Sequence, residues 1–224
     1  MMRSSRRVWG AGLAPALFAC VLSGGCSGMV NMLAIPALFT GSETIEPKVK
    51  LLKDRHATAK VLVLSYANSD LRWGNDLVDE ELTAKLGAEL AKNDRIKLVP
   101  ERKIRAWRDL HPRWENKPLQ SIGEEFDVDF VVFLEVTDFA VSNPKSPYLL
   151  QGKAKVNFKV HDVKKDRQAF SETYSRDFPA NRPVPASDVP SNEAFRDGFV
   201  YAMARELSWN LVPRSVTETI QDPW

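Results

Sequence analysis

The chain has 224 residues, of which 44% are hydrophobic and 27% are charged, with 31 basic and 29 acidic residues. This length suits one domain with short extensions, and the composition is not that of a disordered, fibrous or membrane-integral protein. Residues 1–25 hold three arginines and no acid, so their removal leaves 28 basic and 29 acidic residues. A near-neutral remainder lacks the positive field that attracts nucleic acid, and we expect no nucleic-acid partner.

The amino terminus has the pattern of a secretory signal peptide. A short basic segment is followed by an apolar stretch over residues 8–22, and Ser23, Gly24 and Gly25 then precede Cys26. The apolar stretch is shorter than the roughly 20 residues of a membrane-spanning helix and contains a proline. We therefore predict that the chain is exported and that residues 1–25 are removed.

Cys26 resembles the lipobox cysteine of bacterial lipoproteins, whose thiol receives a diacylglyceryl group before signal peptidase II cuts. That family prefers leucine three residues before the cysteine, whereas this chain has Ser23 there and Leu22 one residue earlier. Cys20 is the competing candidate, because Leu17 is correctly placed before it, but a bulky residue follows that leucine and the apolar stretch would be cut short. We favour Cys26 as the lipid attachment site.

This resemblance implies that acyl chains hold the protein on a membrane, with the domain in the periplasm. Two or three chains, at about 0.8 kcal/mol per buried methylene, anchor a protein stably. Ser27, in place of an aspartate, favours the outer membrane over the inner one. Two alternatives remain, a freely secreted protein cut by signal peptidase I and a leader that is never cleaved. The uncharged residues 28–41 either lie in the membrane interface or pack on the domain.

The first half of the domain alternates strands with helices. A β-branched run over residues 60–66 predicts a strand buried on both faces, and Asp76 is a candidate cap for a helix with Val78, Leu82 and Leu86 on one side. Asp79, Glu80 and Glu81 would then offset the positive end of that helix. A second strand is predicted over residues 95–99, helices over 100–110 and 118–126, and a third strand over 128–136. This order predicts a parallel half-sheet.

The second half has the pattern of an antiparallel hairpin. Apolar and polar residues alternate over residues 153–160, a charged turn follows at 164–167, and residues 170–178 suggest the return strand. Ser191 or Asn192 would cap a last helix. We predict a mixed α/β fold of order β-α-β-α-β-β-β-α in a two-layer or three-layer sandwich. The predicted limits are a tether over residues 26–56, a domain over 57–212 and a tail over 213–224.

Three stretches in this order resemble periplasmic lipoproteins with a domain similar to the TolB amino-terminal domain and the curli-secretion lipoprotein CsgG. They are residues 61–68, residues 99–102, and residues 123–132 with the pattern Gly-x-x-x-x-Val-Asp-Phe-Val-Val. The chain departs from the family at Ser65-Tyr66, where Pro-Phe is usual, and at Leu134, where glycine is frequent. The resemblance implies a non-catalytic domain that binds an envelope protein or self-associates, and it transfers no binding residue.

No catalytic or cofactor motif is present in the sequence. His56, His111 and His161 lack the spacing of a zinc site, and there is no nucleophile elbow, phosphate loop or thiol after Cys26. We expect no cofactor, no metal and no enzymatic activity.

Aromatic residues in predicted loops have two possible roles. Trp73, Trp107 and Trp114, with His111 beside them, are either interface anchors or, as we favour, a cover over the core edge. The alternative function is an enzyme or ligand receptor at the carboxyl ends of the parallel strands, near residues 67–73 and 136–143.

Overall fold

The computed structural model describes residues 43–54, 56–74, 77–143 and 146–220. The predicted leader, both cysteines and Asp76 lie outside these residues. The strands are β1 (Thr44–Ile45), β2 (Ala59–Ala67), β3 (Ile96–Leu98), β4 (Phe130–Asn143), β5 (Ser146–Asp162), β6 (Arg167–Phe178), β7 (Val184–Pro185) and β8 (Arg214–Ser215). The helices are α1 (Ser69–Gly74), α2 (Val78–Ala91), α3 (Glu101–Leu110), α4 (Leu119–Glu125) and α5 (Asn192–Ser208). No helix among these residues is both long enough and apolar enough to cross a membrane.

The main sheet is mixed, as the sequence predicted. Its strands run in the order β3-β2-β4-β5-β6, with β2 parallel to both β3 and β4, and with β5 antiparallel to β4 and β6. Val63 pairs with Val132 in the parallel part, and Val156 pairs with Tyr174 in the antiparallel part. A parallel half and an antiparallel half therefore share the central strand β4.

Helices cover both faces of the parallel half. Val61 and Val63 point into a core formed with α2 and α5, whereas Leu62 and Leu64 point into a second core with α3 and α4. The continuous apolar run of β2 follows from this double burial, since neither face meets water. The parallel half thus has three layers.

Among the described residues, most of the antiparallel half is covered by a helix on one face only. The buried β5 side chains, such as Val156 and Phe158, face α5, whereas Lys153 and Lys155 on the opposite face are exposed. The predicted alternation over residues 153–160 is confirmed. Two strands are longer than the pattern indicated, because β4 continues to Asn143 and β5 begins at Ser146.

The Gly-x-x-x-x-Val-Asp stretch over residues 123–132 has a packing explanation. A Cβ atom on Gly123 would lie 2.3 Å from a methyl carbon of Val163, so only glycine lets α4 approach the sheet this closely. The Asp129 carboxylate accepts the Lys60 amide at 2.8 Å and pairs with Lys164. One aspartate therefore connects the start of β2, the start of β4 and the β5–β6 turn.

Segments on either side of the predicted domain are part of the fold. Val49 and Leu51 are buried in the core, the Val49 amide donates to the Asn210 carbonyl at 2.9 Å, and β1 pairs with β8. The packed chain thus extends beyond the predicted limits of residues 57–212 at both ends.

The start of α2 is described only from Leu77 onward. Leu77 occupies the N-cap position with a left-handed φ of 67° and provides no side-chain cap. Ser191 caps α5, as predicted, by accepting the Ala194 amide at 3.0 Å.

Candidate functional site

A cleft of about 210 Å³ opens between α1, α2 and α3 near the carboxyl end of β2. We call it the polar cleft because six charged residues line it, three of them basic and three acidic: Arg72, Arg105, Arg108, Glu80, Glu101 and Asp109.

The acidic first turn of α2 lies against arginines and not only against water. Asp79 is fully buried and pairs with Arg72, whereas Glu81 contacts Arg196. Glu80 lies 3.7 Å from Arg105. The sequence interpretation, in which these carboxylates only offset the helix dipole, is therefore corrected for Asp79, since a buried carboxylate requires a specific cation.

Arg108 occupies the inner wall of the polar cleft. Its Nη2 donates to the Ser65 carbonyl at 2.7 Å, and its guanidinium lies 4.6 Å from the centre of the Trp114 ring. Burial lowers the pKa of Arg108, while the nearby Asp79 and Glu80 carboxylates act in the opposite direction. The group stays a cation at neutral pH because an arginine pKa starts so high.

Three buried polar atoms of this region have no hydrogen-bond partner among the described residues. They are Ser65 Oγ, Asp79 Oδ1 and Arg108 Nε. Native proteins satisfy the great majority of such atoms, so three of them in one region are unusual. The spacing of these residues in the sequence gave no signal for it, because Ser65 and Arg108 are 43 positions apart.

Two of the larger cavities are less suited to a polar ligand. One of about 580 Å³ lies by the carboxyl ends of α2 and α5, but four of its six charged residues pair with each other: Glu89 with Lys92 and Arg205, and Arg205 with Glu218. The other, of about 330 Å³, is a mostly apolar groove between α2 and α3.

The second candidate site is the outer edge of β6 with the open face beside it. Among the described strands, β6 pairs with β5 alone, and it is 12 residues long. On the open face Thr173 Oγ1 donates to Asn157 Oδ1 at 2.8 Å, and Asn157 Nδ2 donates to Glu135 at 3.1 Å. These hydrogen bonds link side chains of three neighbouring strands.

The histidines show no shared site. The His111 ring contacts the Trp107 carbonyl at 2.8 Å, and the His161 ring contacts Gln120 at 2.9 Å. His56 is exposed. Within the described ranges, no group of three histidine, cysteine, aspartate or glutamate side chains could hold a metal ion.

Trp107 and Trp114 cover the core edge, as we favoured. Trp107 and Trp114 are 8% and 7% exposed and pack in the core under α3 and α4. Trp73 belongs to the short helix α1, which the sequence analysis did not predict.

The two strand ends proposed for a ligand site have different outcomes. Arg72, from the stretch over residues 67–73, lines the polar cleft. The stretch over residues 136–143 continues β4 into the long hairpin and contributes no side chain to that cleft.

No family model matches the sequence, and neither does any curated protein. Among solved structures, a PelC dodecamer from Paraburkholderia phytofirmans is 8% identical with a TM-score of 0.46, and the match covers 76% of this chain and 97% of that one. Lipoprotein GNA1162 from Neisseria meningitidis is 13% identical with a TM-score of 0.45, over 67% and 98%. TolB from Acinetobacter baumannii is 13% identical with a TM-score of 0.34, over 71% and 28%. These likenesses are too weak to assign a family, and the resemblance to the TolB and CsgG domains stays a prediction.

Proposed function

We propose that this chain is a membrane-anchored periplasmic lipoprotein, acylated at Cys26, whose domain binds a partner protein and catalyses no reaction. The partner contributes an extended segment that adds a strand to β6. The observation that carries the proposal is the open edge of β6.

Strand addition suits this edge because its backbone is available over an unusual length. Strands are usually 3–10 residues long, and proteins usually shorten, bulge or cover the edge strands of their sheets. Here β6 has 12 residues, and its one irregularity, beside the Val160/His161 pairs of β5, lies near its start. Main-chain hydrogen bonds to such an edge provide affinity, and alternate side chains provide specificity.

The open face beside this edge favours an acidic partner. Lys155 lies opposite Ser175 and Lys159 opposite Ser171, so two lysines lie one strand in from the edge with hydroxyl side chains beside them. Lys153 faces Asp177, which offsets its charge at 3.9 Å. Lys159 Nζ lies 6.0 Å from the centre of the Phe133 ring on β4, so Lys155 is the lysine better placed to meet a carboxylate on an added strand.

Photo-crosslinking in intact cells tests strand addition. A photoreactive amino acid at Ser171 on β6 should form an adduct, whereas the same probe at the exposed Ala106 on α3 should not. The variant with Ala169→Lys and Ser175→Lys should lose the adduct, because lysines on an edge strand oppose pairing. Both positions are exposed, so its thermal unfolding should match the wild type.

Two outcomes of that experiment are informative. An adduct between two copies of the chain would identify the partner as self-association. An adduct that survives in the double-lysine variant, or that forms equally at Ala106, would refute strand addition at β6.

Metabolic labelling with palmitate tests the anchor. The wild type and Cys20→Ala should incorporate the label, and Cys26→Ala should not. The reverse pattern would move the attachment to Cys20, and an unlabelled wild type would indicate a freely secreted protein or an uncleaved leader.

A further inference from the structure

The polar cleft contains one guanidinium without a carboxylate partner among the described residues. Arg72 pairs with Asp79, and Arg105 donates to Glu101 at 2.7 Å. Within the described ranges, the Arg108 guanidinium donates to the Ser65 carbonyl and lies against the Trp114 ring, and its Nε is buried without a hydrogen-bond partner. Its charge is thus offset by Asp79 and Glu80 at longer range and not by a direct ion pair among the described residues.

The surroundings of Arg108 are also incompletely bonded. Ser65 and Asp79 are both fully buried, and each has one side-chain oxygen with no hydrogen-bond partner in the described structure. Contacts connect these residues to the cleft, since Arg108 donates to the Ser65 carbonyl and Arg72 pairs with Asp79. Ser65 and Asp79 thus lie next to arginines that line the cleft but do not line it themselves.

We propose that the polar cleft binds a carboxylate group, which the Arg108 guanidinium holds. A guanidinium is a planar fork of donors that matches the two oxygens of a carboxylate. Glu80, Glu101 and Asp109 on the rim disfavour a dianion such as phosphate.

The size and walls of the cleft limit the class of ligand further. Trp114 and Ile104 give it an apolar wall. Its volume of about 210 Å³ is below the 300–1,000 Å³ of usual ligand pockets, so it accepts a small organic acid or the last residue of a peptide.

This inference is independent of strand addition. The cleft adjoins β2, which is three positions from β6 in the sheet order. Loss of carboxylate binding would leave the β6 proposal unaffected, and the reverse also holds.

Calorimetry on the detergent-solubilised full chain tests the proposal with benzoate and benzamide, which have the same shape but differ in charge. Benzoate should bind about tenfold more tightly than benzamide or inorganic phosphate. Arg108→Lys should weaken benzoate binding about tenfold, because lysine keeps the charge and loses the fork. Arg102→Lys is the matched control on the same helix, exposed and outside the cleft, and should bind benzoate like the wild type.

A spectroscopic measurement on the wild type covers the case in which Arg108→Lys does not fold. Benzoate should shift the ¹⁵N–¹H signal of one buried arginine Nε, and benzamide should not. An unshifted signal at saturating benzoate, or equal binding of benzoate and benzamide, would overturn the proposal.

Two peptides distinguish the sources of the carboxylate. If a tripeptide with a free carboxyl terminus binds more tightly than benzoate and its amidated form does not bind, the cleft recognises peptide ends. If benzoate binds more tightly than the tripeptide acid, it recognises free small acids.

Discussion

The parallel and antiparallel halves of the sheet share the central strand β4 but differ in how many of their faces are covered by helices. The parallel half is covered by helices on both faces, so its polar side chains lie at the strand ends, in the polar cleft at one end and around Asp129 at the other. Within the described ranges, α5 covers one face of the antiparallel half, most of the other face is exposed, and β6 pairs with β5 alone. Helix cover therefore limits where each half can bind a partner or ligand. In the parallel half the accessible place is a strand end, and in the antiparallel half it is the β6 edge.

The substitution with the largest expected effect tests how much the packing of α5 stabilises the antiparallel half. Phe199 is fully buried between Phe139 and Phe178, with ring centres 5.3 and 5.4 Å away. A Cβ atom on Gly152 would lie 2.6 Å from the Phe199 ring, so the site is closely packed. Phe199→Ala should lower the free energy of unfolding by about 3–5 kcal/mol, measured in urea. A loss below about 1 kcal/mol would mean that α5 contributes little to this half.

The second prediction concerns the aspartate that joins the two halves. Burial acts to raise the pKa of Asp129, but hydrogen bonds from Lys164 and from the Lys60 amide outweigh it and hold the pKa below its usual value. A carboxylate with a lowered folded pKa stabilises the fold at neutral pH, and that contribution is lost as pH falls through the folded pKa. Asp129→Asn should cost about 1.5–3 kcal/mol at pH 7.

The same variant gives a pH test. Urea unfolding of the wild type should lose stability below about pH 4, the usual range for aspartate. Asp129→Asn should lose less stability over that pH range, since it no longer has this carboxylate. An identical slope in the two proteins would contradict the assigned role.

The third prediction tests the close packing of α4 against the parallel half of the sheet. Gly123→Ala would place a carbon 2.3 Å from one Val163 methyl and 3.0 Å from a Val131 methyl, inside a packed core. It should lower the thermal unfolding free energy by about 1–3 kcal/mol. Gly87→Ala is the control, since its Cβ would meet Leu98 at an ordinary 3.6 Å, and it should be neutral or stabilising.

The smallest expected effect is on the open face. Lys155 is exposed and makes no side-chain ion pair among the described residues. Lys155→Gln should change stability by less than about 0.5 kcal/mol. A weaker crosslink from β6 with unchanged thermal unfolding would indicate that the open face contributes to binding. A large loss of stability would show instead that Lys155 stabilises the fold.

Periodicity predicted most of this fold because periodicity reports burial. The continuous apolar run of β2 and the alternation in β5 each correspond to a strand with two covered faces or one. The Ser191 cap was also predictable, since its signal is local.

Features that depend on distant residues could not be predicted. Asp79 looked like an ordinary first-turn carboxylate, and its burial depends on Arg72 in a helix too short to recognise. The burial of Val49 and Leu51 depends on α5 and the segment after it, roughly 150 positions later in the chain. No local pattern contains such information, because it arises only when the layers pack.

Hydrogen exchange at β6 tests the central claim most directly. Mass spectrometry would compare the amides of residues 167–175 in native membranes and in the purified, detergent-solubilised chain. Strand addition predicts slower exchange of these amides in membranes, with the amides of α3 unchanged. Equal exchange of the β6 amides in both preparations would contradict the account.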